Sequence, residues 1–395
     1  MNTAILVVVV LCGALLLYPR LANARLWRAT ITPLASIIGS GFLVIGPILQ
    51  VSFGYAAPIA MLILAVFAYL FGSSIRFNIR QIEILTSRTP VIEKCESLAS
   101  AVLAFAYVIS VAYYLNLFGA FGVSLTELDD AYHARLLTSA IFVFILIIGW
   151  TRGFTALERL EQIAVGLKLA IIAGLLFGLV VTFGQKTSDQ SLFINPVSVT
   201  GWSAVTLIFG LIVTVQGFET SRYLAETYDA KTRIRSMQLA QVLSTGIYLL
   251  YIIPLTFIFP PNAGGFSETA IIGQMAVIAP IISTLLVVAA LSAQFSAAVA
   301  DTSGSGGLVA EITQGRVTPR VAYAILVGAG LLLTWKLNVF QIIGYASRAF
   351  AAYYAIQAGI AAISAGQLND KRRCVFFVFL ALLGAAIALF GKAIE

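Results

Sequence analysis

The sequence predicts an all-α integral membrane protein of about twelve transmembrane helices: a five-plus-five inverted repeat with two broken helices, plus one extra N-terminal helix. Three observations carry this. Of 395 residues, 60% are hydrophobic and only 10% charged, with a mean hydropathy of +0.98, and no water-soluble globule of this size needs so much apolar surface. Apolar runs of roughly 20 residues recur along the chain. Two of these runs, about 180 residues apart, are interrupted at membrane depth, one at Ile38-Gly39-Ser40-Gly41-Phe42 and the other at Gln216-Gly217-Phe218-Glu219.

Taken in order, the apolar runs predict spans over 4–18, 31–50, 54–75, 97–122, 136–150, 162–184, 201–226, 236–259, 275–301, 321–335, 338–364 and 373–391. The first resembles a signal peptide, because Ala22-Asn23-Ala24 follows it like a cleavage site. However, Met1-Asn2-Thr3 lacks a basic residue, and Arg20, Arg25 and Arg28 resist translocation, so the span is read as retained. Basic residues fall in alternate loops: Arg20, Arg25 and Arg28; Arg76, Arg80, Arg88 and Lys94; Arg152 and Arg159; Lys231, Arg233 and Arg235; Arg316 and Arg320; Lys371, Arg372 and Arg373. The positive-inside rule sends all of these to the cytoplasm. Between them, 123–135 carries Glu127, Asp129 and Asp130, while 185–200 and 260–270 hold little charge. Both chain ends then lie outside a plasma membrane, read as a bacterial inner membrane.

No low-complexity tract or long linker divides the chain. Residues 1–30 form the extra helix and a cytoplasmic linker, and 31–392 one membrane domain, with 31–184 and 201–364 as the two repeats and 373–391 as a peripheral helix. Each repeat begins with an interrupted span, and an odd number of spans per half forces the halves into opposite orientations. The net charge of +7 is explained by orientation in the bilayer, not by nucleic acid. Cys12, Cys95 and Cys374 have no metal-ligand spacing, and the single histidine, His133, lies in an outer loop, so neither a metal site nor a cofactor is expected. The intramembrane ionisable groups form no recognisable nucleophile and base, so the chain is not read as an enzyme.

At the two interruptions the sequence resembles the amino acid, polyamine and organocation (APC) superfamily. Ile38-Gly39-Ser40-Gly41-Phe42 resembles the signature of its first core helix. Gly217-Phe218-Glu219, with Ala225-Glu226 and Lys231-Thr232-Arg233-Ile234-Arg235, resembles its sixth helix and the following loop. Leu291-Ser292-Ala293-Gln294-Phe295-Ser296 is similar to its eighth helix and Lys168 to a lysine of its fifth. The likeness covers about 30–392, and it departs from the family in Asp229-Ala230-Lys231, in Asp301-Thr302-Ser303-Gly304-Ser305-Gly306-Gly307 and in an arginine of the tenth core helix. The resemblance implies the leucine-transporter fold and alternating access around a midplane site between core helices one, three, six, eight and ten. It also implies that the Lys168 ammonium stands where sodium-coupled relatives bind their ion, hence sodium independence.

Each candidate residue has a functional and a plain reading. Ile38, Gly39, Ser40, Gly41 and Phe42 would offer free backbone N–H groups and a positive helix end to a carboxylate, or would simply allow close helix packing. Gln216, Gly217, Phe218 and Glu219 would take the amino or side-chain end of a substrate. An unpaired carboxylate at the depth of Glu219 is costly enough to take up a proton, which suits proton coupling or a cationic substrate group; alternatively, Glu219 pairs with Lys168 or Arg348. Lys168 lies roughly 9 Å deep, within reach of snorkelling. Arg348, roughly 15 Å deep, neutralises an anionic substrate group or pairs with Glu219 or Asp301. Ser292, Ser296 and Asp301 would frame a cation site, or Asp301 serves as a helix-end or inner-gate group. Tyr113, Tyr114, Tyr345, Tyr353 and Phe218 are candidate cavity walls or packing residues.

These readings predict a secondary active transporter of a small amino acid or related amine, sodium-independent and working by proton coupling or exchange. Its partners are the small-molecule substrate and the lipid bilayer. A carrier of an inorganic ion or organic anion on the same fold is favoured if Arg348 lines the cavity. The reading outside transport is a membrane sensor or subunit that retains the fold.

Overall fold

The computed structural model describes residues 1–39, 41–84, 89–151, 155–225, 227–260 and 267–393. Ser40, Arg88, Arg152 and Glu226, named above, lie outside them. The described residues form helices α1 (Asn2–Leu17), α2 (Pro19–Ala22), α3 (Arg25–Ile37), α4 (Gly41–Phe53), α5 (Ala57–Ile84), α6 (Pro90–Val123), α7 (Ala131–Thr151), α8 (Thr155–Ser188), α9 (Gly201–Gly210), α10 (Ala230–Ile258), α11 (Ala270–Ile278), α12 (Pro280–Ile312), α13 (Pro319–Lys336), α14 (Val339–Gln367) and α15 (Lys371–Phe390). Eight stretches among them are long and apolar enough to cross a membrane, which marks a multi-pass membrane protein.

Local sequence explains where the helices start and stop. Pro90, Pro280 and Pro319 stand at first-turn positions, where the missing N–H removes no helical bond. Asn338 opens α14 with a reciprocal capping box to Gln341. The helices run past the predicted spans because hydropathy registers only their apolar middles; α6, for example, begins at Pro90. The run 275–301 is not one helix. Ala279, with φ −162° and ψ 121°, separates α11 from α12, because the residue before a proline is pushed out of the helical region.

Both predicted interruptions are real breaks in helix. The first separates α3 from α4, with Ile38 at φ −84° and ψ 40°. In the second, α9 gives way to a 3-10 segment over Ile212–Val215, and helical turns resume at Phe218–Tyr223 after Gly217 turns left-handed at φ +116°. The breaks lie against each other: a Cβ added at Gly41 would sit 2.6 Å from Thr214 Cα, and one at Gly217 would sit 2.7 Å from the carbonyl carbon of Ser36.

Around this crossing, α10 packs on α3 and α5, and α6 packs on α12 and α14. The glycines near the end of α12 admit neighbouring rings, Gly304 facing Tyr107 of α6 and Gly306 facing Tyr323 of α13. Helix α1 packs along α8.

Substituting Gly41→Ala should destabilise the protein by about 1–3 kcal/mol, because the added methyl meets backbone. Gly246→Ala, at an exposed α10 position with no atom within 4 Å of the new Cβ, should be neutral. Thermal unfolding in detergent checks the pair, and equal midpoints would contradict the close crossing.

Candidate functional site

A break in a membrane helix releases backbone N–H and C=O groups that no water can satisfy. Here, side chains from three neighbouring helices claim them. Tyr248 of α10 points its hydroxyl at both breaks, 3.0 Å from Ile37 O and 2.5 Å from Thr214 O, so one phenolic proton is shared between two carbonyls. Tyr251 donates to Leu43 O at 3.2 Å. Lys168 of α8, 5% exposed, donates from Nζ to Ala35 O at 2.8 Å. Ser347 of α14 donates to Gly210 O at 2.7 Å and accepts from Val213 N at 3.1 Å.

Glu219 lies just beyond the second break and is 1% exposed. Its Oε2 accepts from Gly217 N and from the Tyr354 hydroxyl, each at 3.0 Å. Its Oε1 is buried with no hydrogen-bond partner among the described residues. The Tyr354 ring is stacked between Phe71 and Phe218, at centroid distances of 5.3 and 5.1 Å. Gln216 donates to the Tyr114 hydroxyl of α6 at 2.8 Å, and Tyr107 and Tyr114 both lie within electrostatic reach of Glu219 and Asp301. The result is a buried, aromatic-walled carboxylate with one oxygen open to a donor.

About one turn further along, a second polar cluster fastens the segment after the break. Arg222 pairs with Glu96 of α6 at 2.6 Å, the two side chains being 12% and 15% exposed. It also donates to Gln357 Oε1 of α14, which accepts from Asn78 of α5 at 2.8 Å. Arg233 donates to Arg222 O at 3.0 Å. Outside the spans, Asp229 accepts from the Thr232 hydroxyl and from Arg25. The Thr232 hydrogen bond first, and then the Arg25 charge, hold its carboxyl below the usual range.

The structure brings together most of the predicted site. Ile38, Gly39 and Gly41 form the first break; Phe42 packs its ring 5.3 Å from Tyr248 and 4.5 Å from Tyr251. Gln216 to Glu219 form the second, and Tyr113 is buried with its ring 5.4 Å from Tyr114. The Lys168 ammonium is held inward rather than running to the interface.

Tyr345 and Arg348 do not join this cluster. α14 buries Ala346, Ser347, Phe350, Tyr353, Tyr354 and Gln357 on its inner face, whereas Tyr345 is 46% exposed and Arg348 is exposed, donating from Nε to Ala388 O of α15 at 2.7 Å. Counting residues along a helix gives depth but not face, and the expected pairing of Arg348 with Glu219 or Asp301 is replaced by this contact. Asp301 accepts from Ser110 of α6. Ser296 lies five residues away along α12, about 7 Å along the axis, and Ser292 lies further still. The site residues that the sequence did not single out include Glu96, Arg222, Tyr248, Tyr251, Ser347, Tyr354 and Gln357. Arg222 carried a usable signal, being a cation three residues after Glu219 in an apolar run.

A family model described as an APC superfamily transporter matches residues 19–391. The chain is also similar to an uncharacterized protein of Aquifex aeolicus (strain VF5), with 39% identity over 389 residues that cover 96% of this chain and 94% of that protein.

Tyr248→Phe removes the shared proton and leaves two buried carbonyls short of a donor. It should lower stability by about 1–3 kcal/mol, seen as a lower unfolding midpoint; an unchanged midpoint would mean that the carbonyls find other partners.

Proposed function

Because the chain belongs to the APC superfamily of transporters, we propose that it is a secondary active transporter carrying a small amino acid or related amine between the two helix breaks. One observation carries this reading: Glu219 Oε1 is buried and without a hydrogen-bond partner among the described residues. A buried acceptor left unmade costs free energy that a ligand N–H recovers. An ammonium group is the natural occupant, since it supplies both the proton and the opposite charge. A carboxylate at the other end of the substrate would meet the start of α4 at Gly41, where the helix end is positive.

The same geometry supports proton coupling or exchange. With an amine against it, the Glu219 carboxylate is paired; without one, a proton replaces the amine, because a bare charge at this depth is costly. Lys168, donating to Ala35 O, places a fixed positive charge beside the first broken helix, which supports transport without sodium. On this reading the Arg222–Glu96 pair and Gln357 close the path on one side of the substrate, and α3–α8 and α9–α14 are the two five-helix inverted repeats of a protein with about twelve transmembrane helices. With Arg348 on the outer face of α14, bonded to Ala388 O, the observation that would favour an anion carrier is missing at the breaks.

The test is uptake into proteoliposomes, after a thermal-shift screen of amino acids, amines, carboxylates and inorganic ions. Glu219→Gln should flatten the pH dependence of uptake and weaken amine binding about tenfold or more, the value of a charge-assisted hydrogen bond. A wild-type pH profile in a well-folded variant would refute the proton role. Lys168→Ala should insert normally yet transport about tenfold more slowly, and undiminished rates would remove the ammonium from the mechanism.

A further inference from the structure

Arg348 has a setting of its own, separate from the broken helices. Beside it lies a cavity of about 340 Å³ whose lining includes Asn338, Gln341, Tyr345, Arg348 and Lys392. Two of these side chains are cationic, the other three can donate hydrogen bonds, and none of the described lining residues is acidic. Arg348 spends Nε on Ala388 O, and its two terminal nitrogens have no partner among the described residues. A ligand complementary to this lining must bring negative charge and several acceptor oxygens.

The surroundings point to lipid as the source. Leu382, Leu389 and Phe390 of the neighbouring α15 are exposed apolar residues. Trp202, 60% exposed, stands edge-on to Phe390 at 5.7 Å, as aromatics do at the membrane interface. The level fits a headgroup. Arg348 is about 15 Å along α14, but helical side chains lean toward the helix N-terminus, and its guanidinium reaches the last turn of α15. The long side chain thus carries its charge to the rim while its stem stays between the helices.

We propose that this cavity binds the phosphate of an anionic membrane lipid headgroup, with Arg348 and Lys392 as its cationic contacts and the acyl chains lying along α15. The site is independent of the substrate assignment.

The test is thermal unfolding of the full chain, purified in detergent and stripped of lipid, with added phosphatidylglycerol, phosphatidylcholine or inorganic phosphate. Phosphatidylglycerol should raise the midpoint by about 3 °C or more and the other two should not. Arg348→Gln, which can still donate to Ala388 O, should abolish the rise, and Lys392→Gln should reduce it. Should Arg348→Gln fail to fold, Lys392→Gln alone decides, through a weaker dependence on phosphatidylglycerol concentration. An equal rise with phosphatidylcholine, or a full rise in both variants, would overturn the proposal. A rise with inorganic phosphate as large as that with phosphatidylglycerol would make the site one for a free anion and would equally overturn the lipid assignment.

Discussion

Two membrane helices are broken at the same level, and every backbone group they release must find a partner inside the protein. That requirement organises much of what surrounds them. Tyr248 serves a carbonyl from each break, Lys168 serves Ala35 O, and Ser347 serves both an acceptor and a donor of the second broken helix. The partners come from α10, α8 and α14, so the breaks hold those three helices in register as much as the helices hold the breaks. Glycine is required where the two segments meet: Gly217, at φ +116°, takes a conformation other residues avoid, and Gly41 leaves room for the backbone of Thr214.

Once the released groups are satisfied, Glu219 is the one carboxylate among the buried side chains with an atom left unpartnered among the described residues. Its Oε2 has two donors, while Oε1 has none among the described residues. A protein that satisfies Ile37 O, Thr214 O and Gly210 O with dedicated side chains has the means to satisfy one more acceptor. On the proposed reading, this open oxygen in an aromatic-walled position is where the substrate amine docks. The Arg222–Glu96–Gln357 cluster has the opposite character, with charges paired and the amide engaged on both sides, and it fastens the segment carrying Glu219 to α6 and α14.

The breaks were legible because glycine and a carboxylate in a long apolar run conflict with an unbroken membrane helix, and only a few arrangements resolve that conflict. Lys168 apart, their partners were not. A tyrosine such as Tyr248 or Tyr354 in an apolar helix reads the same whether it serves a carbonyl, walls a cavity or faces lipid, and only the fold decides which. Arg348 illustrates a related gap: its position along α14 follows from the sequence, but its face does not, because the apolar residues around it give no clear amphipathic stripe. The apolar run 275–301 hides the boundary at Ala279-Pro280, because hydropathy continues through the proline although the residue before it is pushed out of the helical region.

The extra N-terminal helix acquires a physical place through the same logic. Gly174 of α8 faces Val9 and Ile5 of α1, and Gly178 faces Ile5 from one side and Ile282 of α12 from the other. Small residues at these positions let the helices approach closely where lipid supplies no hydrophobic drive to hold them together. Ala170, which faces Gly13, is two residues from Lys168. The face of α8 turned away from Ala35 is therefore covered by α1, while α10 and α12 also pack on α8, and from this setting the Lys168 side chain reaches across to Ala35 O. An ammonium tethered to its own helix follows a moving carbonyl only as far as its four-carbon stem reaches. A fold that places a tethered ammonium beside a helix break gains from a brace on the helix that carries it, and α1 is so placed.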